Sequence, residues 1–180
     1  MSDQWKQQLD IFGTVEKYSK VERGAKFSDC RKYRYALWRI WDKNKPLVMF
    51  IGLNPSTANE DENDPTIRSV ERISKHNGYG GFYMMNCFPF VSTDPKKLYD
   101  CSHSIHNEAW LKEIASMSKD VVFAWGNFEV VKKLGVDYIM GRWFPNAKAL
   151  HINKNGSPKH PLYCKSDAVF VNWNSGSSCR

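Results

Sequence analysis

Four apolar runs recur along the chain, each too short for a buried helix and each broken by a turn containing Gly, Asn or Pro. They are LVMFIGL (47–53), GFYMMNCF (81–88), DVVFAWG (120–126) and AKALHI (147–152). Unbroken apolar runs of this length are what a strand buried on both faces requires. Helical spacing fills the gaps between them. Ile67, Val70 and Ile73 mark a helix over 66–76, and Asp64-Pro65 ahead of it supplies an N-cap and a first-turn proline. Further helices are expected over about 104–117 and over 128–134. Strand and helix alternate four times, which predicts a parallel sheet sandwiched by helices.

The flanks are less regular. YRYALWRIW (33–41) nearly alternates and is rich in aromatics, so it reads as a strand covering one edge of the sheet. The first thirty or so residues are polar and poorly periodic, an N-terminal arm or a short helix. From Asp167 one more helix or strand is expected, with NSGSSCR fraying at the end.

Composition removes whole classes of answer. At 180 residues the chain suits one domain, with 42% hydrophobic and 25% charged residues in ordinary globular balance. No apolar run approaches the roughly 20 residues of a bilayer span. The opening MSDQWKQQLDIF is polar and mixed in charge, unlike a signal peptide. Five scattered cysteines form no CxxC pair, so neither a zinc site nor a disulfide framework is indicated. A cytoplasmic monomer with reduced thiols and no membrane partner is the expectation. The formal charge of +7 favours polyanion partners, although a solvated basic surface explains it equally well.

In parallel sheets of this kind ligands gather beyond the carboxyl ends of the strands. Here those ends carry GLNPS, NCFPF, WGN and NGSPKHPLY. In Gly52-Leu53-Asn54-Pro55-Ser56, Gly permits close approach to the backbone and Asn54 can orient a water or a carbonyl. An Asn-Pro turn accounts for the same residues. Asn86 ends an apolar strand, where an unsatisfied amide is costly. It is either bonded to backbone or available to the edge of a pyrimidine. Phe88, Phe90 and Trp125 offer flat faces for stacking, or simply fill the core. His160 stands in a Gly/Pro-rich loop, placed to donate a hydrogen bond to an oxygen gaining negative charge. Ser157 and Lys159 beside it suit a phosphate. Asp64 and Arg68 are further candidates, Asp64 also serving as helix cap. The other carboxylates of the 59–68 loop read as solvated, and their spacing specifies no metal.

Taken in order, the four segments resemble the uracil-DNA glycosylase superfamily, in the layout of its single-strand-selective monofunctional branch. That branch has a GMNPG-type first motif, an N-x-x-P strand end and an HPS-type last motif; the corresponding stretches are GLNPS (52–56), NCFP (86–89) and KHPLY (159–163). VVFAWGN (121–127) is similar to the superfamily's strand ending in W-G. With the DPT-x-x-R stretch at 64–68, the pattern also resembles an uncharacterised bacterial and phage family placed near those glycosylases. The resemblance implies a three-layer α/β/α fold around a four-stranded parallel sheet. It further implies hydrolysis of the N-glycosidic bond of uracil or a modified pyrimidine in DNA, as in DNA repair, with no metal or cofactor. Asn54 would position the water, Asn86 read the flipped base and His160 stabilise the departing base anion, with an aromatic of 88–90 or one near the first motif stacking on the base.

Two departures fall where substrate contacts would lie. The last motif reads HPLY rather than HPS, and GLNPS lacks the terminal glycine and is followed by the acidic DPT loop. They leave open an enzyme of this fold acting on free nucleotides or on hypermodified phage bases. A base-, nucleotide- or DNA-binding module without catalysis is the alternative from another class.

Overall fold

The computed structural model describes residues 21–100 and 105–173. Its organising element is strand β3, Leu47–Gly52, in which Val48, Met49, Phe50 and Ile51 are all fully buried. Successive side chains of a strand point to opposite faces, and β3 feeds a separate core on each. Met49 and Ile51 join Met85, Leu111, Phe123 and Val131 on one face. Val48 and Phe50 join Ile67, Val70 and Ile73 on the other. That double burial is the physical reason for the unbroken apolar run.

Among the described residues the strands are β1 (Glu22–Phe27), β2 (Arg34–Ile40), β3, β4 (Gly81–Asn86), β5 (Asp120–Phe123), β6 (Lys148–Ala149) and β7 (Val171–Asn172). They form one sheet in the order β1-β2-β4-β3-β5-β6-β7. β4, β3, β5 and β6 pair in parallel, while β1, β2 and β7 add in antiparallel register. The expected parallel strands are therefore present, but the sheet is a larger mixed one. Among the described residues the helices are α1 (Pro65–His76), α2 (Ile105–Ser116), α3 (Glu129–Lys133) and α4 (Val136–Trp143). α1 covers one face; α2, α3 and α4 supply Leu111, Val130 and Met140 to the other.

Several expectations are corrected at the flanks. β2 is not the edge: β1, drawn from the stretch expected to be an arm or short helix, pairs along its full length. The remainder of the expected arm, 1–20, lies outside the described residues, as does the expected fraying end, 174–180. Of the helix or strand expected after Asp167, a two-residue strand forms. β6 is likewise two residues long, and α4 follows Gly135 where no helix was expected.

The start of α1 forms as its sequence dictates. Asp64 stands in extended backbone and its carboxylate accepts from the Ile67 amide at 2.8 Å, with Pro65 at the first helical position. The acidic loop before it is held by Arg39 of β2, which is 1% exposed. Arg39 donates to Asn63 Oδ1 (2.9 Å), Asn59 O (2.8 Å) and Trp38 O (2.8 Å). At the surface Arg31 grips Glu60 with two parallel bonds of 2.9 and 3.0 Å, holding the Glu60 carboxyl down to about 2.

Candidate active site

The chain leaves β3 toward β4 on one side and returns to β5 on the other. Between strands whose connections diverge in this way a crevice opens at the carboxyl ends. A cavity of about 230 Å³ occupies it. Gly52, Leu53 and Asn54 line it from the end of β3, Asp64, Thr66 and Ile67 from the start of α1, and Met84 and Asn86 from β4. Arg34 of β2, Phe128 ahead of α3 and His160 complete the wall with Ser56, Ser92 and Thr93. Its volume falls below the roughly 300–1,000 Å³ of drug-sized ligand sites, so it matches one ring rather than a whole nucleotide.

Asn86 is the least satisfied residue of the cavity. It is 1% exposed, and neither its Oδ1 nor its Nδ2 has a hydrogen-bond partner. Its backbone, by contrast, is fixed: the buried Asn107 donates to Asn86 O at 2.7 Å and to Cys87 O at 3.2 Å. Gly52 is glycine because any Cβ there would stand 2.6 Å from Met84 Cε and 3.0 Å from Asn86 Oδ1. The first motif thus clears room for the amide of the second. An unpaired buried amide costs about 1–3 kcal/mol.

Asn54 is constrained differently. Its Nδ2 donates to Ser92 O at 2.6 Å and Pro55 O at 3.1 Å. With the nitrogen committed to carbonyls, Oδ1 is the atom left to accept a proton from another molecule. Pro55 is buried and takes a further bond from the Ser92 amide, tying this turn to the chain beyond β4.

His160 caps the short 3₁₀ turn Pro161–Tyr163, its Nδ1 accepting from the Leu162 amide at 3.3 Å. An accepting Nδ1 leaves the proton of neutral imidazole on Nε2. Burial pushes the His160 pKa below the ordinary imidazole value, and the charge of Asp64 offsets this only in part. His160 is therefore a neutral donor. Gly126, at φ +81°, leaves room for His160: a Cβ there would stand 3.2 Å from His160 Cβ. Ser69 of α1 donates to Pro161 O at 2.9 Å, anchoring the turn from the other side.

The sequence does not point to Arg34 or Phe128. Arg34 is 3% exposed; its Nη1 donates to Ala58 O at 2.7 Å and its Nε has no partner. Burial pulls its guanidinium down to about 10, opposed by the nearby Asp64 and reinforced by Arg39. A charged residue among core positions of an alternating strand was the one available signal. Phe128 stands between this cavity and a larger one of about 570 Å³ behind it.

The other expected residues lie elsewhere. Phe88 is core, and Phe90 packs edge-on to Tyr33, so neither faces the cavity. Trp125 packs against Phe123 and Trp173 and lines only the larger cavity. Ser157 also lines that cavity, its hydroxyl bonded to Asn155 Oδ1 at 2.7 Å. Lys159 bonds His151 O through its backbone and lines neither cavity. Arg68 is exposed and donates to Asn63 O. Among the described residues no three His, Cys, Asp or Glu side chains come together as a metal-binding group. No helix among them is long and apolar enough to cross a membrane.

No curated protein and no solved structure matches the chain. A family model described as protein of unknown function (DUF1643) matches residues 34–162, from the first residue of β2 past His160. The chain belongs to that family, and the matched span contains every residue lining the smaller cavity.

Proposed function

We propose that the protein hydrolyses the N-glycosidic bond between uracil, or a modified pyrimidine, and the sugar of DNA. The observation that carries this reading is the Asn86 amide, buried and unpartnered at both atoms on the wall of a ring-sized cavity. A pyrimidine edge offering one acceptor beside one donor, as O4 and N3–H of uracil do, satisfies both atoms together. On this reading the four parallel strands are a glycosylase-like core.

The base leaves the stack and enters the cavity, at a cost of a few kcal/mol that contacts to the DNA backbone offset. The +7 charge of the chain suits that requirement. The C1′–N1 bond breaks with its electron pair on the base, leaving an oxocarbenium-like sugar. Such an electrophile needs a positioned water, not a strong base, and Asn54 Oδ1 accepts one proton of that water. The water oxygen bonds to C1′, and the proton it releases ends on the departed base. His160 Nε2–H donates to the base oxygen that gains charge, and a neutral donor does so without giving up its proton. Phe128 supplies the ring face.

Oligonucleotides carrying uracil, 5-hydroxymethyluracil or only ordinary bases, single- and double-stranded, test this. Alkali-labile abasic sites are expected with wild type and not with Asn54→Ala. A binding module without hydrolysis is the second reading, favoured by the commitment of Asn54 Nδ2 to backbone carbonyls. Retention of modified DNA with no abasic product from any oligonucleotide would establish it instead.

A further inference from the structure

The plain uracil edge leaves a buried, unpartnered polar atom of the cavity lining unused. Asn86 has one donor and one acceptor without partners, and those two atoms suffice for an unmodified pyrimidine. Arg34 Nε is a third unpartnered atom, and it belongs to a cation. The strand order β2-β4-β3-β5 puts Arg34 and Asn86 on neighbouring strands, and both line the same cavity. Arg34 N is bonded to Pro89 O at 2.8 Å, so backbone pairing with β2 continues past the end of β4 and fixes where this side chain begins. Nη1 is held by Ala58 O. What remains is a fixed, positively charged N–H donor beside the amide that reads the ring.

Building on the base-reading assignment of Asn86, we propose that Arg34 is a specificity-determining residue. It selects a pyrimidine carrying an anionic, oxygen-bearing substituent on the ring edge next to the one read by Asn86. A buried cation favours a charged acceptor over a neutral one, since hydrogen bonds to charged groups are roughly twice as strong as neutral ones. Asp64 also lines the cavity, close enough to Arg34 to act on its charge, so it weakens the pull on an anion without cancelling the free donor.

Calorimetric binding of three free bases tests this directly: uracil, 5-hydroxymethyluracil as a neutral substituent, and 5-carboxyuracil. Wild type is expected to bind 5-carboxyuracil about ten-fold or more tightly than 5-hydroxymethyluracil. In Arg34→Gln that ratio collapses toward one. Asn86→Ala weakens all three ligands together, and thermal melting of each variant confirms that it is folded. Equal affinity of wild type for the neutral and acidic bases overturns the role of Arg34 while leaving base reading intact. So does a ratio that survives Arg34→Gln. Failure of wild type to bind any of the three overturns the base-reading assignment and this inference with it.

Discussion

Two buried arginines stand on the same strand in opposite conditions. Arg39 spends its guanidinium on Asn63, Asn59 and Trp38, with a longer bond to Gly24 O, and so ties the acidic loop to the sheet. Arg34, one end of β2 away, is equally buried but keeps a donor in reserve beside an amide that keeps two. Burial of a charge is therefore not one phenomenon in this molecule. Where every donor meets a carbonyl, the charge organises the chain; where donors face a cavity, the fold carries a cost that a ligand can remove.

The largest effect is expected at Arg39. Arg39→Met strands several buried carbonyls, and a loss of about 3 kcal/mol in urea unfolding is expected. A loss near zero would mean that water replaces the side chain freely and that the loop does not depend on it. Asn86→Leu sharpens the other half with the opposite sign. Removing an amide that has no partner should raise stability by about 1 kcal/mol in the same assay, while binding of pyrimidines is abolished. A marked loss of stability would show that Asn86 is structural.

The smallest effect concerns His160. Because burial lowers its pKa, the unfolded chain takes up the proton first as pH falls. The contribution of the neutral ring is full above the ordinary imidazole value of 6.5 and is lost as pH falls through it toward the lower folded value. Wild type should thus lose more thermal stability than His160→Gln between about pH 7.5 and about pH 5. Parallel curves would place the ring in water.

What the sequence made legible follows local rules. The Asp64-Pro65 start of α1 needs only a cap and a fixed φ, and doubly buried strands need only unbroken apolar runs. Asn54, Asn86 and His160 stand together because parallel strands deliver their ends to one edge. Pairing with distant partners left no such trace. β1 forms because β2 offers it a free edge, and β6 and β7, at two residues each, carry too little pattern to see. The aromatic of the cavity leaves no local trace for a related reason. Phe88 stands two residues after Asn86, yet its side chain is part of the core while Phe128, far along the chain, lines the opening. Arg34 in an alternating aromatic strand reads as a surface charge until the strand is seen to have neighbours on both sides.

One bond has a mechanical consequence. Ser69 on α1 holds Pro161 O, and Asp64 begins the same helix, so two walls of the cavity ride on a single rod. The carboxylate and the imidazole turn thus share one anchor, separate from the strand that carries Asn86, and the Lys159 N bond to His151 O gives the turn its second hold.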